Sequence, residues 1–170
     1  MNHVQILKNT VLALSLSAAT GTVHGAQARR PAGESAAGAT VKVSLTAAGQ
    51  SLASSGPGRC THADKASIYG VMSEMWTVRQ QADGRSTQLT LWRPMDGKEE
   101  MFSLSLSGAK ELSVSTVRGG TVTGSGTVKF QAKDKGGTFT INAKAKTGEA
   151  VTGTIECSAF SAAVAEGGNL

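Results

Sequence analysis

The chain has 170 residues, with 17 lysines and arginines against 12 aspartates and glutamates, for a formal net charge of +5. That length suits one ordinary domain, and two cysteines and three histidines leave few parts for a catalytic or metal centre. Aromatic residues are only 4% of the chain, too few to interleave with its lysines as a base-stacking surface, which argues against nucleic acid as a partner.

The N-terminus reads as a secretory signal peptide, residues 1–28. Lys8 precedes the apolar run Val11 to Ala19, and "TGTVHGAQA" supplies small residues where a signal peptidase cuts, after Gly25 or after Ala28. The run is about half the ~20 apolar residues that a membrane span needs, so no transmembrane segment is expected after processing. Residues 29–40, including "PAGESAAGAT", lack apolar periodicity and read as a flexible spacer. The expected location is secreted or periplasmic, and the expected state is a monomer.

From Val41 to Phe160 the period is two. Val41, Val43 and Leu45 alternate with polar residues, as do Leu89 and Leu91, then Phe102, Leu104 and Leu106, then Leu112 and Val114. The pattern continues through Val122, Gly124, Gly126, Val128 and Phe130, then Phe139, Ile141 and Ala143, then Val151, Gly153, Ile155 and Cys157. Turn formers separate these runs: "RPMDGK", "SGAK", "RGG", "KDKGG" and "KTGE". The prediction is an all-β domain over 41–160, a single antiparallel sandwich or partly open barrel of about seven to eight strands. "ADKASIYGVMSEMW" has helical spacing at Ile68, Met72 and Met75, with a strand through "ASIYGV" as the alternative. The inward glycines 124, 126 and 153 suit strong bending of strands. Residues 161–170 read as a loose tail.

Lysines concentrate between Lys129 and Lys146. Alternating with apolar residues, they read as a solvated face that guards a sheet edge; as a patch they would meet an acidic envelope polymer.

"GRCTHAD" contains Cys60, His62 and Asp64. Two cysteines in an exported chain favour one disulfide, Cys60 to Cys157, closing a loop of nearly a hundred residues. The chain-entropy model gives such a bond about 4.5 kcal/mol. The competing reading places Cys60, His62 and Asp64 on one face of an extended segment as metal ligands. The first reading is preferred: on it His62 is an exposed loop residue, and neither a cofactor nor a metal is expected.

A Ser-His-Asp centre is disfavoured, since no "GxSxG" turn exists here. Carboxylate chemistry would draw on Glu74, Asp96, Glu99, Glu100 or Glu156, so a metal- or carboxylate-dependent hydrolase stands as one alternative. A glycan-binding module is another: Trp92 lies beside a turn with Arg93 ready to donate hydrogen bonds, and Trp76 and Tyr69 complete an aromatic set. The tryptophans also suit a small core that shields the disulfide.

The succession "VKVSL", "GPGRC", "ASIYG", "GGTVTGSGTVKF", "KGGTFTINAKA" and "GTIEC" resembles the mycobacterial 19 kDa lipoprotein antigens and their actinobacterial relatives. The resemblance implies a small β-domain with Cys60 paired to Cys157, and an envelope antigen or ligand-binding role without enzyme chemistry. The lipidated cysteine of that family has no counterpart here. The function expected from all of this is a non-catalytic, envelope-associated protein that binds a ligand or partner such as a glycan or another secreted protein.

Overall fold

The computed structural model describes residues 38–108 and 111–163. The signal-peptide reading, most of the spacer and the last residues of the tail lie outside the described residues. Ten strands run in chain order: β1 (Ala39–Ala47), β2 (Gln50–Ile68), β3 (Val71–Ala82), β4 (Arg85–Pro94), β5 (Met101–Ser107), β6 (Leu112–Ser115), β7 (Gly124–Lys133), β8 (Gly136–Ala145), β9 (Ala150–Cys157) and β10 (Ser161–Ala162). The first nine form one antiparallel sheet in the order β6-β5-β4-β3-β2-β1-β9-β8-β7.

The sheet curls until its ends meet. Thr123, the residue before β7, donates its N–H to the Ser115 carbonyl of β6 at 3.0 Å, and its hydroxyl donates to the Ser113 carbonyl at 3.4 Å. The result is a nearly closed barrel, which resolves the choice between sandwich and barrel. Curvature this strong needs sites without a side chain. Gly153 on β9 has φ +133°, and a Cβ there would stand 2.1 Å from the Ser44 carbonyl oxygen of the neighbouring strand.

The alternation read from the sequence gives the inner face. Val41, Val43, Leu45, Leu89, Leu91, Phe102, Leu104, Leu106, Leu112, Val114, Val128, Phe139, Ile141, Ala143, Val151, Ile155 and Cys157 are all buried. Val122 departs from it: β7 begins two residues later, and Val122 is 50% exposed in the preceding loop. The five lysines at 129, 133, 135, 144 and 146 are exposed, and the first two lie on β7, the last strand of the path.

"ADKASIYGVMSEMW" is a hairpin, and no helix occurs among the described residues. Tyr69 (φ 47°) and Gly70 (φ 78°) both take positive backbone angles between β2 and β3, as a two-residue turn that matches strand twist requires. The backbone reversal overrides the helical spacing of Ile68, Met72 and Met75. Ala48-Gly49 and Asp83-Gly84 turn in the same way.

At one end β2 outruns β1, while β9 ends at Cys157 opposite Val41. The first residue of β1, Ala39, pairs with Gly58, whereas β2 continues through Cys60 and His62. There the Cys60–Cys157 disulfide joins β2 directly to β9, and both cysteines are buried. Beyond it Ser161 and Ala162, assigned to the loose tail by sequence, pair in parallel with Thr61 and His62 as β10.

The loop closed by the bond spans a sequence separation of 97. Replacing both cysteines with serine is expected to lower unfolding free energy by about 4 kcal/mol in urea titrations. A loss under about 1 kcal/mol would show that β10 and the barrel core hold this end alone.

Candidate functional site

Antiparallel register decides which side chains meet. His62 pairs with Trp76, Trp76 with Leu91, and Leu91 with Phe102. Directly opposed residues point to the same side of a sheet, so this rung projects into the barrel with the buried Leu91 and Phe102. Two residues along, Glu74 pairs with Arg93 on the same face, at the barrel end that the disulfide closes.

These side chains form one network. His62 Nε2 lies 2.8 Å from Glu74 Oε1, and its Nδ1 lies 3.6 Å from Asp64 Oδ1. Arg93 donates from Nε to Glu100 at 2.7 Å and from NH1 to the other Glu74 oxygen at 3.3 Å. Trp76, 3% exposed, lies beneath: the His62 ring stacks on it at 5.0 Å and 11°, and the Arg93 guanidinium carbon sits 4.8 Å from its ring centroid. Behind Trp76 come Phe130 at 4.8 Å, then Phe139 at 4.9 Å from Phe130, with Phe160 edge-on to both. Aromatic rings therefore cross the interior from β3 to β7 and β8.

The arrangement corrects several expectations. Cys60 is bonded to Cys157 and is no metal ligand. His62 stands on β2, half-buried, rather than in an exposed loop. Glu74 takes the place that Cys60 would have had: His62, Asp64 and Glu74 each offer one ligand atom, all within 4.8 Å of one another. Trp76 is core, which removes it from any exposed platform.

The carboxylates weighed for hydrolysis are dispersed. Only Glu74 and Glu100 come together, both bound by Arg93. Glu156 lies 3.9 Å from Lys42, and Glu99 is exposed. Asp96 belongs to the β4–β5 turn, where the hydrogen bond from the Lys98 side chain holds its carboxyl below the ordinary aspartate value, helped by the Lys98 backbone N–H.

Trp92 pairs with Met75 and Met101, so it faces outward while Arg93 beside it faces in. With Tyr69 it lines a shallow groove of about 410 Å³ on the outer wall at the same end of the barrel. The four residues proposed as one binding set thus divide into two places: Trp76 and Arg93 inside, Tyr69 and Trp92 outside.

At the opposite end Val43, Leu52, Leu106 and Leu112 line an apolar cleft of about 60 Å³. Its polar floor is Gln80, which donates to the carbonyls of Val41 at 2.7 Å and Gly56 at 3.4 Å and accepts from Ser54 at 2.7 Å. The space holds a few water molecules at most.

Arg93 joins Glu74, Glu100 and Trp76, two of them at partly exposed ion pairs. Arg93→Ala is expected to cost about 1–2 kcal/mol in urea unfolding and to change the near-ultraviolet dichroism of Trp76. Arg93→Lys is expected to recover under half of that, because lysine lacks the planar fork; full recovery would mean that charge alone matters. No protein-family model, curated protein or solved structure matches the chain, whose function must be read from its own residues.

Proposed function

We propose that this chain is an exported, non-catalytic envelope domain that binds a neutral glycan on its outer wall, in the groove between Tyr69 and Trp92. One observation carries the reading. Tyr69 is 66% exposed, yet its ring rests against the Gly119-Gly120 backbone so closely that a Cβ on Gly120 would stand 2.8 Å from its hydroxyl oxygen. A large apolar ring fixed in solvent is a surface prepared for contact.

The surrounding chemistry fits a sugar. Ser67, Ser103, Ser115 and Thr121 place hydroxyl-bearing side chains along the groove, with Ile68 and Val117 between them. Sugar rings present an apolar face to an aromatic ring and hydroxyls at the edge, so they need this mixture. No lysine, arginine, aspartate or glutamate belongs to the lining, which favours a neutral glycan over an acidic polymer.

Export is supported by two features. A buried disulfide is stable in oxidising compartments, and the apolar run of residues 11–19 with its small-residue flank has the form of a signal peptide. The resemblance to the 19 kDa lipoprotein antigens points to the same envelope setting. Among the described residues no helix is long and apolar enough to cross a membrane.

Trp92 reports directly on the groove. Neutral oligosaccharides are expected to shift tryptophan emission, and Tyr69→Ala or Trp92→Phe to weaken binding, about tenfold for Tyr69→Ala if one ring contact of up to ~1.5 kcal/mol is lost. Absence of any shift with neutral glycans, or binding that Tyr69→Ala leaves unchanged, would contradict the proposal.

A further inference from the structure

We propose that His62, Asp64 and Glu74 form a binding site for a divalent first-row transition ion, separate from the glycan groove. The donor set is one imidazole nitrogen and two carboxylates, a mixture that zinc accepts. The three ligand atoms lie within 4.8 Å of one another, whereas oxygen and nitrogen atoms around zinc stand about 3–3.6 Å apart at bond lengths of ~2.0–2.2 Å. Glu74 stands at Nε2 of His62 and Asp64 at Nδ1, so one carboxylate must swing for both to meet an ion on a single ring nitrogen, and the Asp64 side chain, 90% exposed, has the room to do so.

Two features of the fold prepare the site. His62 is held by stacking on the buried Trp76, so its ring is oriented before any ion arrives. Asp64 lies where the β2–β3 ladder shifts register between Ala63 and Ala66, and an irregularity of this kind re-aims a side chain away from simple alternation. The site therefore combines one fixed ligand, one half-buried ligand on the adjacent strand and one free to close.

Electrostatics favour a cation. Asp64, Glu74 and Glu100 carry three negative charges against one on Arg93, so with His62 neutral the cluster is net −2 in a chain of net +5. Arg93 does not block the ion. Its contact with Glu74 is 3.3 Å, longer than the 2.7 Å bond to Glu100, and that bond and the Trp76 ring remain to it if Glu74 turns toward a metal.

The test is calorimetric titration of Zn²⁺ alone into the oxidised, chelator-treated full chain, with tryptophan emission recorded in parallel because His62 lies on Trp76. One saturable zinc per chain is expected, and Asp64→Asn and His62→Ala should each weaken it at least about tenfold with far-ultraviolet dichroism unchanged. Asp64→Asn alters only an exposed side chain, so it decides the question even if His62→Ala disturbs the fold. No saturable zinc uptake by the unmodified chain, or uptake that Asp64→Asn leaves intact, would overturn the proposal.

Discussion

The barrel depends on how its wall is completed where β1 ends. Past Gly58, the partner of Ala39, β2 has no paired β1 residue, whereas β9 ends at Cys157 while still paired with Val41 of β1. The Cys60–Cys157 bond brings the two Cα atoms to 6.3 Å, closer than two strands that flank a third at ~4.8 Å spacings. The chain after β9 then turns back to cover the same place. Ser161 donates its hydroxyl to the Cys60 carbonyl at 3.2 Å, Ala163 N–H donates to the His62 carbonyl at 2.8 Å, and Phe160 packs into the aromatic group behind Trp76. Covalent closure, a two-residue strand and one ring thus hold the backbone that carries His62.

From that fixed edge the chemistry of the end follows by alternation. On β4, neighbouring residues serve opposite sides: Arg93 turns in to the carboxylates and Trp76, while Trp92 turns out to the groove with Tyr69. Charge is gathered inside the mouth, and the outer groove is lined by hydroxyl, aromatic and aliphatic side chains. A single end of a small barrel can therefore offer two chemically distinct surfaces without a change in backbone.

The strand pattern is legible because inward positions are mostly apolar at every second residue in β1 and from β4 onward, with Thr87 and Arg93 the exceptions on β4, and the disulfide because two cysteines behind an expected signal peptide have one simple use. β2 was harder to read. Gly56, Pro57 and Gly58 look like a loop, yet pairing with β3 begins only at Gly58, so Pro57 has a ladder partner on the β1 side alone and its missing N–H is tolerated. Tyr69-Gly70 was obscured because a tyrosine rarely takes a positive φ. Glu74 gave no local signal at all: its meeting with His62 and Arg93 arises from the register of three strands, which is a property of the fold rather than of any short segment. The same holds for Tyr69 and Trp92, whose neighbourhood depends on the β6–β7 loop lying under the tyrosine ring.

The most direct measurement is a ¹⁵N–¹H chemical-shift map of the oxidised protein titrated with neutral hexose and N-acetylhexosamine oligomers. The account predicts saturable shifts that cluster on the Trp92 indole N–H and the backbone amides of Tyr69, Ser103, Gly120 and Thr121, while the buried Trp76 indole stays in place. Shifts centred instead on the exposed lysines of β7 and β8, or no saturable shifts with any neutral glycan, would contradict it.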